Sequence, residues 1–401
     1  MKKIMITLTA VLSLTVTSLL TPSSLEPAAK AAEAKSVTRF KDVSTSHWAN
    51  SAITWAVKEN IVAGYPDATF RPSKSVTRAE FIKMLVDALH LPHSSGSTPW
   101  YQAYVHEAVE SKIHSQADFK SYNEPISRLE MIRLAARSLA RSEKYEAYLK
   151  AFEGLYNGDI PFVDYKELKK ADVPYTGLVV GSKIMNGFPD ASLGLKKNAT
   201  RAEAVAIIQN LITTQSSKHP SDFQYLQELR ELAETGMNAT AVSELEPLLN
   251  LIEEQKVIEH YNFDAKLKRV YVIPIEGDTV SFYERKFLWD RDELEERFLK
   301  NRTGYITAVL DVTYKKDGSH TIFRNAMYLS PSSLFRYQEA RKNFGYVQSY
   351  MSDIFEAKKG ETFEVVLHGI YSKEYFGIDL ITNTAYKNSG FPVLHNPNKG
   401  M

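Results

Sequence analysis

Three times the chain repeats a tetrad with a hydroxyl residue first, an arginine second and a glutamate fourth: Thr77-Arg78-Ala79-Glu80, Ser127-Arg128-Leu129-Glu130 and Thr200-Arg201-Ala202-Glu203. In such a tetrad the hydroxyl accepts a hydrogen bond from the amide three residues on, and the carboxylate reaches back to the amide of the capping residue. Thr77 with Glu80, Ser127 with Glu130 and Thr200 with Glu203 are therefore expected as reciprocal caps, each opening a helix. Apolar residues follow at helical spacing, namely Ile82, Leu85 and Leu89, then Ile132, Ala135 and Leu139, then Val205, Ile208 and Ile212. Three equivalent amphipathic helices predict one shared core. Around the first and third copies the match is longer, because Gly64-Tyr65-Pro66-Asp67 and Gly187-Phe188-Pro189-Asp190 each stand thirteen residues before the capping threonine.

A second apolar element precedes each long match. Trp48, Ile53, Ala56, Val57 and Ile61 form it in the first copy, and Leu178 to Met185 in the third. The segment from Gly64 to Pro72 holds Pro66-Asp67 and Arg71-Pro72, so it reads as a turn-rich connection between two helices. The caps put Arg78, Arg128 and Arg201 at the first helical position, where the partly positive helix end disfavours a cation by a few tenths to about 1 kcal/mol. Two readings of these arginines stand at this point. Each pairs with a neighbouring carboxylate, or the guanidinium and exposed helix-end amides together take an anionic ligand, a carboxylate or phosphate.

Composition narrows the function classes. Apolar residues make up 44% and charged residues 24% of 401, as in a folded globular chain. Lys2 and Lys3 precede an uncharged run from Ile4 to Leu20, followed by small-x-small sites near residue 31, so residues 1–31 are expected to be a secretory signal peptide. No other segment is long and apolar enough to span a bilayer. Removing residues 1–31 takes three lysines and one glutamate from 49 basic and 48 acidic residues, leaving a formal charge of −1. A near-neutral chain is not expected to bind nucleic acid nonspecifically. The chain has no cysteine, which excludes disulfides, thiolate metal sites and thiol nucleophiles.

Phe40-Lys41-Asp42-Val43, His47-Trp48-Ala49, Gly64 to Pro72 and Val76 to Phe81 together resemble an S-layer homology (SLH) module. Phe162-Val163-Asp164, Gly187 to Asp190 and Ala199 to Glu203 resemble a second, with Leu193-Gly194-Leu195 in place of the aromatic-and-basic stretch. A divergent middle copy keeps Trp100, Ala108, Ile113 and Pro125 to Glu130 but lacks the Gly-aromatic-Pro-Asp loop. Ile113 lies fifteen residues before Arg128, whereas Ile61 and Ile184 lie seventeen before theirs, so the middle loop is shorter and its groove altered. The expected modules are 36–91, 97–141 and 160–215, and residues 141–159 are expected to extend the middle copy with a helix.

The resemblance implies a pseudo-threefold helical bundle that holds its host on a Gram-positive wall by binding secondary cell-wall polysaccharide, often through a pyruvyl ketal. Carried over copy by copy, it implies that Arg78 and Arg201, and with more divergence Arg128, meet the ligand carboxylate. Gly64 and Gly187 would leave room for the saccharide. Trp48 and Trp100 are candidates for sugar stacking, with core packing the competing role.

Ser216 to Ser221 is a short polar break and the expected boundary of a second domain, 222–401. Leu226, Leu229 and Leu232, then Val242, Leu245, Leu249 and Ile252, predict two amphipathic helices, the second ending near His260. Strands are expected over 268–275, 279–283, 305–314, 321–329, 362–371 and 375–382, with a hairpin turn at Asp317-Gly318 and helix over 332–355. The fold class is thus α+β and multidomain: an all-α bundle, then an α+β domain with an antiparallel sheet.

No catalytic motif accompanies it. Asp290, Asp292, Glu293, Glu295 and Glu296 read as a solvated helix face rather than a metal or glycosidase site, because consecutive helical positions point different ways. His260, His320, His368 and His395 lack ligand spacing. Phe335, Tyr337, Phe344, Tyr346 and Tyr350 read as core, with a glycan grip as the alternative. No cofactor and no metal are expected. The sequence favours an anchored surface protein with a binding or structural C-terminal domain; the alternatives are a wall-modifying hydrolase and a subunit of a surface array.

Overall fold

The computed structural model describes residues 40–259, 262–274, 281–287, 304–320, 327–330, 347–348, 355–371, 377–382 and 391–395. The expected signal peptide, the acidic group at 290–296, the aromatic group at 335–350 and His260 lie outside the described residues, as does most of the helix expected over 332–355.

Each repeat is a short helix, a loop and a capped helix. The short helices are α1 (Asn50–Lys58), α3 (Gln102–Glu110) and α6 (Val173–Gly181); the capped ones are α2 (Arg78–Ala88), α4 (Arg128–Leu139) and α7 (Arg201–Ser217). Every short helix ends alike, with a left-handed residue, Asn60, Lys112 or Lys183, after which the amide of Ile61, Ile113 or Ile184 donates back to Ala56, Ala108 or Val179. The three copies close on one another through the residues just before the caps. Val76 N–H donates to Ala199 O (3.0 Å), Ala199 N–H to Ile126 O (2.9 Å) and Ile126 N–H to Val76 O (2.9 Å), a hydrogen-bonded triangle. Around it Phe81, Ile82, Leu85, Ile132, Leu139, Val205 and Ile208 are buried in one core. Each such side chain contributes roughly 1.5–3 kcal/mol by leaving water.

The segment between the second and third copies forms α5 (Glu143–Ala151) followed by short 3₁₀ turns, including Asn157–Asp159. After the polar break, α8 (Gln224–Thr235) returns to the same core. Leu226 and Leu229 lie so close to Gly181 that a β-carbon there would meet them at 2.6 and 3.1 Å, and Leu232 joins them in the cluster. The break expected to separate two domains is therefore a turn within one packed core. Gly236 ends α8 in the left-handed conformation, and the four-residue α9 (Ala239–Val242) comes next. The long second helix expected to reach residue 260 does not form: Pro247, which cannot donate an amide within a helix, lies in β1 (Glu246–Pro247), and the chain then turns into β2 (Val257–Glu259).

The remaining described strands are β3 (Phe263–Pro274), β4 (Gly304–Tyr314), β5 (Gly318–His320), β6 (Met327–Ser330), β7 (Val347–Gln348), β8 (Phe355–Ala357), β9 (Thr362–Tyr371), β10 (Gly377–Thr382) and β11 (Phe391–His395). One sheet has the order β2-β3-β4-β9-β7, antiparallel except for the parallel β7-β9 pair; another is antiparallel, β1-β11-β10-β6. The fold class is α+β. Two expectations fail locally. The chain bends at Lys315-Lys316 and Gly318 opens β5, but β5 pairs with β8, because both edges of β4 are occupied by β3 and β9. Residues 281–283 are a turn leading into α10 (Glu284–Phe287), not a strand.

The first sheet is buried on both faces. Tyr271, Ile273, Tyr305, Val309 and Val366 pack with the helices, while Val270, Val272, Ile306, Ala308, Val365 and Leu367 face a second core with Leu245, Leu251 and Leu394. A bulge at Lys268 makes this possible: it shifts the register between Leu267 and Arg269, so the second-core face passes from Ala265 and Leu267 to Val270 and Val272. Arg269 and Tyr271 are thereby turned toward the helices.

Candidate ligand grooves at the capped helix ends

At all three caps the sequence forms both halves of the reciprocal arrangement. Glu80 N–H donates to Thr77 Oγ1 (3.2 Å) and Thr77 N–H to Glu80 Oε2 (2.8 Å); Ser127 with Glu130 and Thr200 with Glu203 do the same. The next two amides are not free for an anion, contrary to the reading in which exposed helix-end amides help to take one. Arg78 and Ala79 N–H donate to Glu124 O and Tyr122 O, those of Arg128 and Leu129 to Lys197 O and Leu195 O, and those of Arg201 and Ala202 to Lys74 O and Pro72 O. Each helix end is thus sewn into the loop of another copy, and anion recognition falls to side chains.

The arginines cross copies in the same way. Arg78 lies on the middle loop, over Phe119 and donating to Ser121 O (3.0 Å). Arg128 lies on the third loop, over Phe188 and donating to Leu193 O (2.6 Å) and Asn186 O (3.0 Å). Arg201 lies on the first loop, between the rings of Tyr65 and Phe70, donating to Phe70 O and Ala63 O (both 3.0 Å). Gly64 therefore shares a groove with Arg201, and Gly187 with Arg128, rather than each with the arginine of its own copy. The close approach at these glycines is to a ring: a β-carbon would meet Phe40 at 2.1 Å or Phe162 at 2.3 Å. That side of each glycine is filled by the ring.

Charge distinguishes the three grooves. Arg78 is neutralised by Glu130 (2.8 Å) and Arg128 by Glu203 (2.8 Å). Arg201, 7% exposed, has no carboxylate partner among the described residues, and its Nη1 makes no hydrogen bond there. Two more cations flank it through Tyr65: Arg71 lies 3.9 Å from the ring centre and Lys74 donates to the hydroxyl (3.0 Å). Asp67 pairs with Arg71 at 3.0 Å, and its bonds from Thr69 and Arg71 hold its carboxyl down at about 2. Arg71 adopts φ 59° at the position where the third copy has Gly194, held there by its amide donating to Asp42 Oδ2 (2.7 Å). Tyr65, Phe70, Arg71 and Lys74 were not singled out from the sequence; the aromatic-and-basic run was their signal.

The middle groove is filled from within. His114 is buried beside Phe119, its Nε2 is 2.9 Å from the Tyr122 hydroxyl, and Asp118 joins it to Arg137. Trp48 and Trp100 are 66% and 49% exposed, which removes core packing as their role. Among the described residues no group of three or more histidines and carboxylates has metal-binding geometry, and no helix is long and apolar enough to cross a membrane.

The family model for the S-layer homology domain matches residues 39–82, the first helix, loop and cap. The chain thus carries an S-layer homology domain. It is 57% identical over 42 residues to a cellulosome-anchoring protein of Acetivibrio thermocellus, covering 10% of this chain and 9% of that one. It is 31% identical over 189 residues to exoglucanase XynX of the same organism, covering 44% of this chain and 16% of the other. An S-layer protein of Bacillus thuringiensis is 25% identical over 177 residues, covering 42% and 21%. The SLH chain thus spans a small part of each relative's length. It is a secreted protein of the cell surface, anchored through its SLH region.

Proposed function

We propose that the SLH region, built from modules 36–91, 97–141 and 160–215, binds a wall polysaccharide bearing a carboxylate such as a pyruvyl ketal, and that the main site is the groove between the third and first copies. The observation that carries this reading is the uncompensated charge of Arg201. A guanidinium this deeply buried without a counter-ion is costly, and Lys74 nearby adds to its potential, whereas Arg71 is paired with Asp67. A carboxylate accepting from Nη1 would relieve that repulsion, and the exposed Trp48 and Trp100 offer apolar faces for sugar rings. Arg78 and Arg128 already hold carboxylates, so their grooves contribute less. The residues after 222 serve as a structural and binding platform attached to this anchor. Titration calorimetry of the full chain with purified wall polysaccharide tests the ligand: binding is expected with the ketal intact and lost after mild acid removes it. Equal heats with both would refute the carboxylate reading.

A further inference from the structure

Asp159 is fully buried at the junction of helices and sheet. Its carboxylate accepts from Arg269 Nε (3.0 Å), Arg269 Nη2 (3.0 Å) and the Tyr271 hydroxyl (2.9 Å), and its carbonyl accepts from the Tyr283 hydroxyl (2.8 Å). Lys286 donates to Gly158 O. On the other side of the same segment, Glu228 of α8 accepts from Ser281 Oγ (2.7 Å) and Phe282 N–H (2.9 Å). Residues 281–287 are thus wedged between α8, the 157–159 turn and β3.

A few residues beyond Asp159 the chain becomes the support of the third loop. Phe162 fills the face of Gly187 and touches the Phe282 ring edge-on. Val163 N–H donates to Ala191 O (3.0 Å), and Asp164 accepts from Leu193 N–H (2.9 Å) and Leu195 N–H (3.2 Å). That loop supplies Asn186 O and Leu193 O to Arg128. The first loop is held by the equivalent residues, Phe40 against Gly64 and Asp42 accepting from the Phe70 and Arg71 amides, but its support does not run through Asp159.

We propose that the C-terminal sheet braces the third loop: Arg269, Tyr271 and Tyr283 fix Asp159, and residues 159–164 transmit that fixation to the loop that receives Arg128. Release of the wedge or of β3 then loosens the Arg128 groove and leaves the first loop closed. The grooves of one SLH region thereby differ in their dependence on the attached domain.

Hydrogen exchange on the full chain carrying Tyr271→Phe and Tyr283→Phe tests this. Exchange at the Leu193 and Leu195 amides is expected to quicken about tenfold, as when local opening becomes easier, with Phe70 and Arg71 unchanged. Unchanged exchange at Leu193 and Leu195 while residues 269–273 quicken would overturn the proposal, as would equal acceleration of both loops. If the double variant does not fold, Tyr283→Phe alone, which removes one hydroxyl and no charge, is read by the same criteria.

Discussion

Replacing Asp159 by alanine is expected to be among the most damaging single changes in the described chain, although the residue lies far from the grooves. The carboxylate is the counter-ion of Arg269, whose side chain is 8% exposed, and it also accepts from Tyr271 and from the Tyr156 amide. Burial alone would lower the Arg269 pKa; the nearby Asp159 charge and its hydrogen bonds reverse this and raise it well above the ordinary value. Removing one partner of a buried pair leaves the other charged and desolvated, at a cost of about 3–5 kcal/mol. Against a total of roughly 5–15 kcal/mol, that is a large share. Urea denaturation followed by tyrosine and tryptophan fluorescence reads it. With a slope of about 1–3 kcal/mol per molar, the midpoint should fall by about 1 M or more. In a double-mutant cycle, Asp159→Leu with Arg269→Met should lose clearly less than the sum of the single changes, because the pair leaves together. A midpoint shift below about 0.3 M at constant slope, or additivity in the cycle, would refute the reasoning that this pair carries the junction.

Two further outcomes follow from the same region. Burial pushes Glu228 up to about 7, against the hydrogen bonds from Phe282, Ser281 and Asn238 that oppose the shift. Its folded pKa is raised, so its contribution is complete below the ordinary carboxylate value and is lost as pH climbs to about 7, some 3 kcal/mol in all. His114, pushed down by burial, tilts stability the other way within this range, whereas Lys286, pushed down to about 8, does so only above it, so the difference between the wild type and Glu228→Gln across pH 4.5–7.5 isolates the effect. A flat difference would contradict it. Gly154→Ala should cost about 1–3 kcal/mol in a thermal melt, because its β-carbon would meet Ala233 O of α8 at 2.5 Å; a neutral result would mean that α8 is not seated as described.

The helices that open the three copies were legible because caps are local: Thr77 and Glu80 fall within one turn, and no distant contact can change what they do for each other. The grooves were not legible in the same way. Which loop receives Arg201 is decided by the order of copies around the Val76–Ala199–Ile126 triangle, and nothing within residues 187–215 encodes that the receiving loop begins at Gly64. The same holds for the difference in charge. All three tetrads end in glutamate, yet Glu130 and Glu203 reach an arginine and Glu80 serves its own cap.

In the second half, β3, β4 and β9 matched their apolar runs. The bulge at Lys268 was hidden, since a one-residue parity change reads simply as a longer apolar stretch from Val270. Leu226, Leu229 and Leu232 did signal an amphipathic helix, but a helix's apolar face does not reveal which core it joins. The polar run 216–221 suggested separation where the chain only turns. Glu228, on the buried side of that helix, would have been assigned to solvent by its residue type.

The most direct test of the anchor is the binding of the full chain to purified cell walls, compared across Arg201→Ala, Arg78→Ala and Arg128→Ala and across walls with and without secondary polysaccharide. Each variant is first checked for an unchanged circular dichroism spectrum. Binding should require the polysaccharide and fall by about tenfold or more for Arg201→Ala, the loss of a charge-assisted pair of roughly 1.5–3 kcal/mol, with smaller losses for the other two. Equal losses for all three arginines, or undiminished binding by a folded Arg201→Ala chain, would contradict the assignment of the uncompensated guanidinium as the principal contact.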